Sequence, residues 1–251
     1  MFRLYGLIVL ALLCTACAGT TGNGSSSGGE SAAEINVRLG LGYLQQGRPQ
    51  LAIDNLKRAI ELNPRLADAH HYAAEAYRQL EQYARADEHF KKALKLAPKD
   101  SSVKNNYGVY LCDRGQYAEA DEYFVEVAAD QFYRAPDEAL ENAGICARKA
   151  GDDVLATQRF RQAIEYNGRR ARSLYQLADL SNEASEYFQA RGFIQRYFSV
   201  APINAPSLWL AIRIEKALGN EEEVREYAKT LYRNYPDSKE AKEFKHFWAN
   251  Q

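Results

Sequence analysis

The sequence has no excess of charge of either sign: 32 Lys and Arg stand against 33 Asp and Glu, a formal net charge of -1. Without clustered basic groups there is no electrostatic footprint for a nucleic-acid backbone. Histidine and cysteine are scarce, four of each in 251 residues. His70, His71, His89 and His246 are not spaced with cysteines as metal sites require. His71 and Glu75 share a helical face, but an isolated pair of this kind is more often a solvated contact than a ligand set. No strand-turn-helix elbow presents a nucleophilic serine, and no glycine-rich loop is followed by Lys-Ser or Lys-Thr. These absences argue against an enzyme, a cofactor, a metal or a small-molecule substrate. The apolar run Leu4 to Leu13 has ten residues, well short of the ~20 that a membrane-spanning helix needs.

That run has another meaning. Arg3 precedes it, and the small, polar Cys14-Thr15-Ala16-Cys17 follows it, the layout of a secretory signal. Ala16-Cys17 resembles the junction of bacterial lipoprotein signals, where cleavage leaves a cysteine first and that cysteine carries the lipid. The expectation is a signal peptide over 1–16 and lipidation at Cys17. Cys14 stands where such signals usually carry Leu, and bulky Leu13 makes Cys14 itself a poor acceptor. A soluble secreted protein cut near the same place is the alternative. Lipid would supply the anchor, since each buried CH2 contributes ~0.8 kcal/mol. By resemblance to lipoprotein sorting, Ala18 in place of Asp directs the protein to the outer membrane, facing the periplasm. Residues 17–31 are too rich in Gly and Ser to bury a core, and read as a tether with a reach of roughly 20 Å.

From residue 32 onward the signal is periodic. Pro64 to Pro98 is 34 residues, Pro202 to Pro236 is 34, and Gly168 lies 34 before Pro202. That is the tetratricopeptide period. Small residues recur in the first half of each unit, at Gly40, Ala74, Gly108, Gly144 and Ala178, with Leu56, Phe90, Phe124, Phe160 and Ile194 in the second half. A small residue lets the second helix approach closely, and a large one fills the seam. Proline ends the second helix by forcing the preceding residue out of the helical region. Gly47, Gly115, Gly151 and Gly219 fall between the helices, where a positive φ is useful. Asn220 before Glu221, Glu222 and Glu223 reads as an N-cap with an acidic first turn. Gly108 to Gly144 is 36, so two extra residues, in a stretch carrying Phe132, Tyr133 and Pro136, lengthen the link between the third and fourth repeats. The expected fold is all-α, a right-handed superhelical solenoid of about six tetratricopeptide repeats over 32–237, with a capping helix in 238–251.

The first helices of such solenoids line the concave face. Val37, Leu41 and Leu44 form an apolar stripe there at helical spacing, and Asn105, Val109, Glu141, Ile145, Arg148 and Trp209 continue the candidate protein-binding groove. The alternative is that Val37, Leu41 and Leu44 pack on the next repeat. The groove lacks the asparagine-and-lysine pattern of a carboxylate clamp for chaperone tails. Cys112 and Cys146 lie in the first helices of adjacent repeats, close enough for a disulfide in an oxidising periplasm. Two separately buried thiols are the other reading.

The segment Asn105-Asn106-Tyr107-Gly108-Val109-Tyr110-Leu111-Cys112 is followed by Arg114-Gly115-Gln116-Tyr117 and later by Asn142-Ala143-Gly144-Ile145-Cys146. With the Phe132-Tyr133 insertion and the ending Tyr235-Pro236-Asp237-Ser238, these resemble the type IV pilus biogenesis and stability lipoproteins, the PilF/PilW family. Both Cys112 and Cys146 match family positions. The resemblance spans essentially the whole mature chain and is loosest at Cys14 and in the sixth repeat. It implies a pilotin: an outer-membrane lipoprotein that binds the secretin of the pilus machinery and promotes its localisation and multimer assembly. The rival expectation is a generic outer-membrane-anchored scaffold for envelope protein assembly or cell-wall synthesis.

Overall fold

The computed structural model describes residues 30–249. Thirteen helices follow one another there: α1 (Ala32–Gln45), α2 (Pro49–Leu62), α3 (Ala67–Gln79), α4 (Tyr83–Leu96), α5 (Ser101–Asp113), α6 (Tyr117–Ala129), α7 (Pro136–Lys149), α8 (Asp153–Tyr166), α9 (Ala171–Glu183), α10 (Tyr187–Val200), α11 (Ala205–Ala217), α12 (Glu221–Asn234) and α13 (Lys239–Ala249). Among the described residues there is no strand. The first twelve form six antiparallel pairs, a tetratricopeptide solenoid.

Each pair is built the same way. Gly40, Gly108 and Gly144 sit on first helices so close to their partners that an added Cβ would lie 2.6 Å from Leu56, 2.8 Å from Phe124 and 2.7 Å from Phe160. Alanine at Gly108 or Gly144 would press on a wholly buried ring, and overpacking of this kind costs ~1–3 kcal/mol. The sixth pair reaches the same seam by exchanging sizes. Ile212 takes the small-residue position on α11 and Ala228 the large one on α12, and both are buried in one cluster.

The turns within pairs share one conformation. The first helix closes with a hydrogen bond from two residues past its cap back to its last turn: Arg48 N to Tyr43 O, Gln82 N to Tyr77 O, Gln116 N to Leu111 O, Asp152 N to Ala147 O, Glu186 N to Ser181 O and Asn220 N to Glu215 O. This closure needs a positive φ at the middle of the turn. Gly47, Gly115, Gly151 and Gly219 supply it without strain, whereas Glu81 (φ 56) and Ser185 (φ 61) adopt it against their side chains. Asn220 differs from its expected role: its side chain caps nothing and instead donates to Glu215 Oε2 at 2.8 Å.

Between pairs, the residue before Pro64, Pro98, Pro202 and Pro236 lies outside the helical region, as proline demands. The link from α6 to α7 is the longer one, spanning 130–135. Asp130 holds it by accepting from Ser101 Oγ at 2.6 Å and from Phe132 N at 3.0 Å. Tyr133 packs beside Val127, Ala128 and Leu140, Phe132 is 83% exposed, and Pro136 starts α7. At the far end, α13 lays Ala241 and Phe244 on Leu208 and Ile212.

Candidate protein-binding face

Successive first helices touch one another, α1 with α3, α3 with α5, α5 with α7 and α9 with α11. No two successive second helices pack to a similar degree. A row in contact on one side and splayed on the other curves toward the contacting side, so the first helices form the inner face.

Side chains along the first helices from α3 onward tie this row together. Asn106 Nδ2 on α5 meets His71 Nε2 on α3 at 2.8 Å. Asn142 on α7 donates to Asn105 Oδ1 at 3.2 Å. Glu141 accepts from Arg170 at 3.1 Å and from Ser173 at 2.8 Å. Arg148 donates to Gln176 at 2.6 Å, and to Asp179 and Glu183 at 2.9 Å. Arg213 closes on the other oxygen of Asp179 at 3.3 Å. Lower on the row, Asp113 bridges Arg78 (2.9 Å) and Lys149 (3.0 Å).

Burial pushes the His71 imidazole down to about 4, so it is neutral at physiological pH and suited to pairing with an amide. Burial also raises the Glu75 carboxyl, against the opposing pull of Arg78. His71 and Glu75 share no bond; each is committed elsewhere, His71 to Asn106 and Glu75 to Arg78.

The expected groove residues therefore divide. Val37 is 8% exposed and lies in the core, where Leu44 also packs against the same cluster. Val37 is no open anchor, because its side chain is buried in this cluster. Asn105 and Glu141 are buried in the bonds between repeats, and Arg148 is engaged by Gln176, Asp179 and Glu183. Leu41, Val109, Ile145 and Trp209 remain half-buried, with surface to offer. Leu41, Val109 and Ile145 occupy one repeat position: each directly follows the glycine that admits the second helix.

Cys112 on α5 and Cys146 on α7 are joined by a disulfide with Cα atoms 5.7 Å apart. It crosses the boundary spanned by the longer link. Cys17 lies outside the described residues, as do residues 1–29 generally.

Sequence reasoning passed over Tyr175. It lies 34 residues after Glu141 and 34 before Trp209, so the period alone could have placed it on the inner face. Arg170, Arg191 and Glu215 were also passed over. Glu215, 2% exposed, receives Arg191 through Nε at 2.9 Å and Nη2 at 2.5 Å. No spacing rule marks that pair, because it joins a second helix to the next first helix.

Residues 31–99 and 102–131 match family descriptions of the tetratricopeptide repeat. The type IV pilus assembly protein PilF of Pseudomonas aeruginosa is 30% identical over 242 residues, covering 95% of this chain and 96% of that protein. A solved structure from the functional characterisation of P. aeruginosa PilF superposes with a TM-score of 0.75 at 31% identity, covering 86% of this chain and 97% of that one. PilW, described as a widely conserved type IV pilus biogenesis factor, superposes equally well, with a TM-score of 0.75, 29% identity and coverage of 86% and 99%.

Proposed function

Because the chain belongs to the PilF/PilW family of type IV pilus biogenesis proteins, we propose that it is the pilotin of such a system. In this reading it is lipidated at Cys17, sits on the periplasmic side of the outer membrane, and binds the secretin to promote its localisation and multimer assembly. The single observation that supports the reading is the likeness to PilF in sequence over 95% of this chain and 96% of that protein, matched in fold over 86% of this chain.

The mechanism follows from the parts. The lipid localises, the tether of residues 17–31 gives reach, and the inner row of helices captures a segment of the secretin monomer. Leu41 is the best-placed apolar anchor, since it is half-buried and belongs to no core cluster. Val109 and Ile145 continue the same line. An amphipathic helix laid across such a row presents its apolar side chains at one-turn intervals. The protein holds and delivers; it transforms no substrate.

The test is the multimeric state of the secretin on an unboiled gel, with its membrane fraction, in a strain lacking this gene. The expected result is loss of outer-membrane multimers, restored by the wild type and poorly by Cys17→Ala. Leu41→Asp combined with Ile145→Asp, in protein shown to be folded, is expected to restore them poorly as well. Unchanged multimers in the deletion strain would transfer the function to a later pilus step or to a general envelope scaffold.

A further inference from the structure

A cavity of about 350 Å³ opens between α9, α10 and the start of α11, lined by Ala171, Arg172, Tyr175, Tyr197, Asn204 and Pro206 among others. The secretin reading does not use it. Its size suits one large side chain or a small ligand. Two of its walls are rings: Tyr175 meets Tyr197 edge to face with centroids 5.8 Å apart. Small Ala171 and Ala201 and rigid Pro206 leave the space between them open.

Most polar atoms of the wall are satisfied from within the protein. The Tyr197 hydroxyl accepts from Asn204 Nδ2 at 3.0 Å and donates toward Pro202 O at 3.4 Å. Asn204 Oδ1 accepts from Ser207 N at 2.9 Å. These groups call for no polar guest. Arg172 is different. It is exposed, and among the described residues its guanidinium makes no hydrogen bond or ion pair. Arg148, Arg170, Arg191 and Arg213 are all held by carboxylates. Arg169, in the link before α9, is likewise without an acidic partner among the described residues. Arg172 and Arg169 thus carry cationic charge that no carboxylate among the described residues pairs, and Arg172 lies at the rim of the aromatic wall.

We infer that the cavity is a docking socket for an extended segment of a protein partner that presents an aromatic side chain beside a carboxylate. The ring enters the cavity and packs against the wall formed by the Tyr175–Tyr197 pair, and the carboxylate pairs with Arg172. Both halves of the guest follow from the host. Aromatic contacts of this geometry contribute ~0.5–1.5 kcal/mol beyond the area they bury, and a guanidinium matches a carboxylate through two parallel hydrogen bonds. A cationic guest would meet Arg172 and Arg169 and be repelled. A neutral apolar guest would leave both charges unmatched. Tyr175 shares its repeat position with Glu141 and Trp209, so a segment lying along the inner face passes over the opening.

The test uses the mature chain with Cys17→Ser to keep it free of lipid, isotope-labelled and titrated by NMR with the acetylated, amidated peptide Gly-Ser-Asp-Phe-Ser-Gly. The expected result is saturable shifts centred on Ala171, Tyr175 and Ala201. Affinity should fall about tenfold or more, equivalent to ~1.4 kcal/mol, when the peptide's Phe becomes Ala, when its Asp becomes Asn, and with Arg172→Glu in the protein. Arg172 is exposed, so this variant should keep the wild-type melting temperature. Absence of shifts at millimolar peptide would overturn the inference, as would equal binding by Arg172→Glu or by a peptide with Lys in place of Asp. No secretin is present in this assay, so its result is independent of the multimer experiment above.

Discussion

The two halves of the solenoid use one geometry and two chemistries. In repeats one to three the buried polar side chains are His70, His71, Ser101 and Asn105, none of them charged when the imidazoles are neutral. In repeats four to six they include the carboxylates Asp137, Glu141 and Glu215, each met by an arginine. The buried bonds of the first half run through amides and imidazoles, with the Arg78–Asp113 pair nearer the surface, whereas those of the second half include ion pairs. The repeat prescribes where helices lie, and leaves open which polar groups join them. A buried charge is tolerable only where a partner is in reach, and Arg170 and Arg191 stand in reach only in the second half.

The sharpest way to break this contrast is to remove one partner of a buried pair. Glu215→Ala is expected to cost about 3 kcal/mol, because the Arg191 guanidinium would lose its partner in a largely desolvated site. Urea unfolding would measure it, and a loss under 1 kcal/mol would show that the second half does not depend on its charges. The disulfide joins the two halves. Replacing Cys112 and Cys146 together with Ala removes a bond across 34 residues, and loop-closure entropy puts the loss at about 3–4 kcal/mol. Hydrogen exchange should then show protection falling first at α5 and α7.

Acid should separate the halves. Burial lowers the imidazoles of His70, His71 and His89, with His71 brought to about 4. The unfolded chain, with a histidine pKa of ~6.5, then binds more protons than the folded one below pH 6.5. The stabilisation is complete above ~6.5 and is lost as pH falls toward 4. For His71 alone the loss at pH 4.5 is on the order of 2 kcal/mol, and His71→Gln should flatten the curve between pH 6.5 and 4.5. Exchange at acid pH should open α3 to α5 before α9 to α11; simultaneous opening would erase the distinction. The smallest effect is expected from Glu81→Gly and Ser185→Gly, one in each half. Each relieves a positive φ, and each should stabilise by ~0.5–1 kcal/mol, equally in both halves, since this turn is a property of the repeat itself.

Much of the fold was legible in the residues because its determinants are local. Pro64, Pro98, Pro202 and Pro236 end helices by steric exclusion, and Gly47, Gly115, Gly151 and Gly219 sit where the turn requires a positive φ. The two added residues in 130–135 were countable from Gly108 and Gly144. The sixth repeat read as weak because Ile212 and Ala228 exchange places, conserving the volume of the seam while breaking its pattern. Asn220 has the right residue type for a cap, but Glu215 competes for its amide and wins.

The inner face was legible only in part. Period alone assigns Val37, Leu41, Asn105, Glu141, Arg148 and Trp209 to first helices. It does not say which of them a neighbouring repeat covers. Val37 is buried and Leu41 only half-buried, though both lie on α1 and only four residues separate them. That difference depends on which side chains of other helices reach α1, a matter of tertiary packing. The repeat number, the helix limits and the turns were thus determined by the sequence, since each rests on the backbone preferences and size of single residues. The tertiary structure decided the Glu141 and Glu215 ion pairs, the joining of Cys112 to Cys146 and the Tyr175–Tyr197 cavity, because each requires side chains from separate helices to meet within a few ångströms.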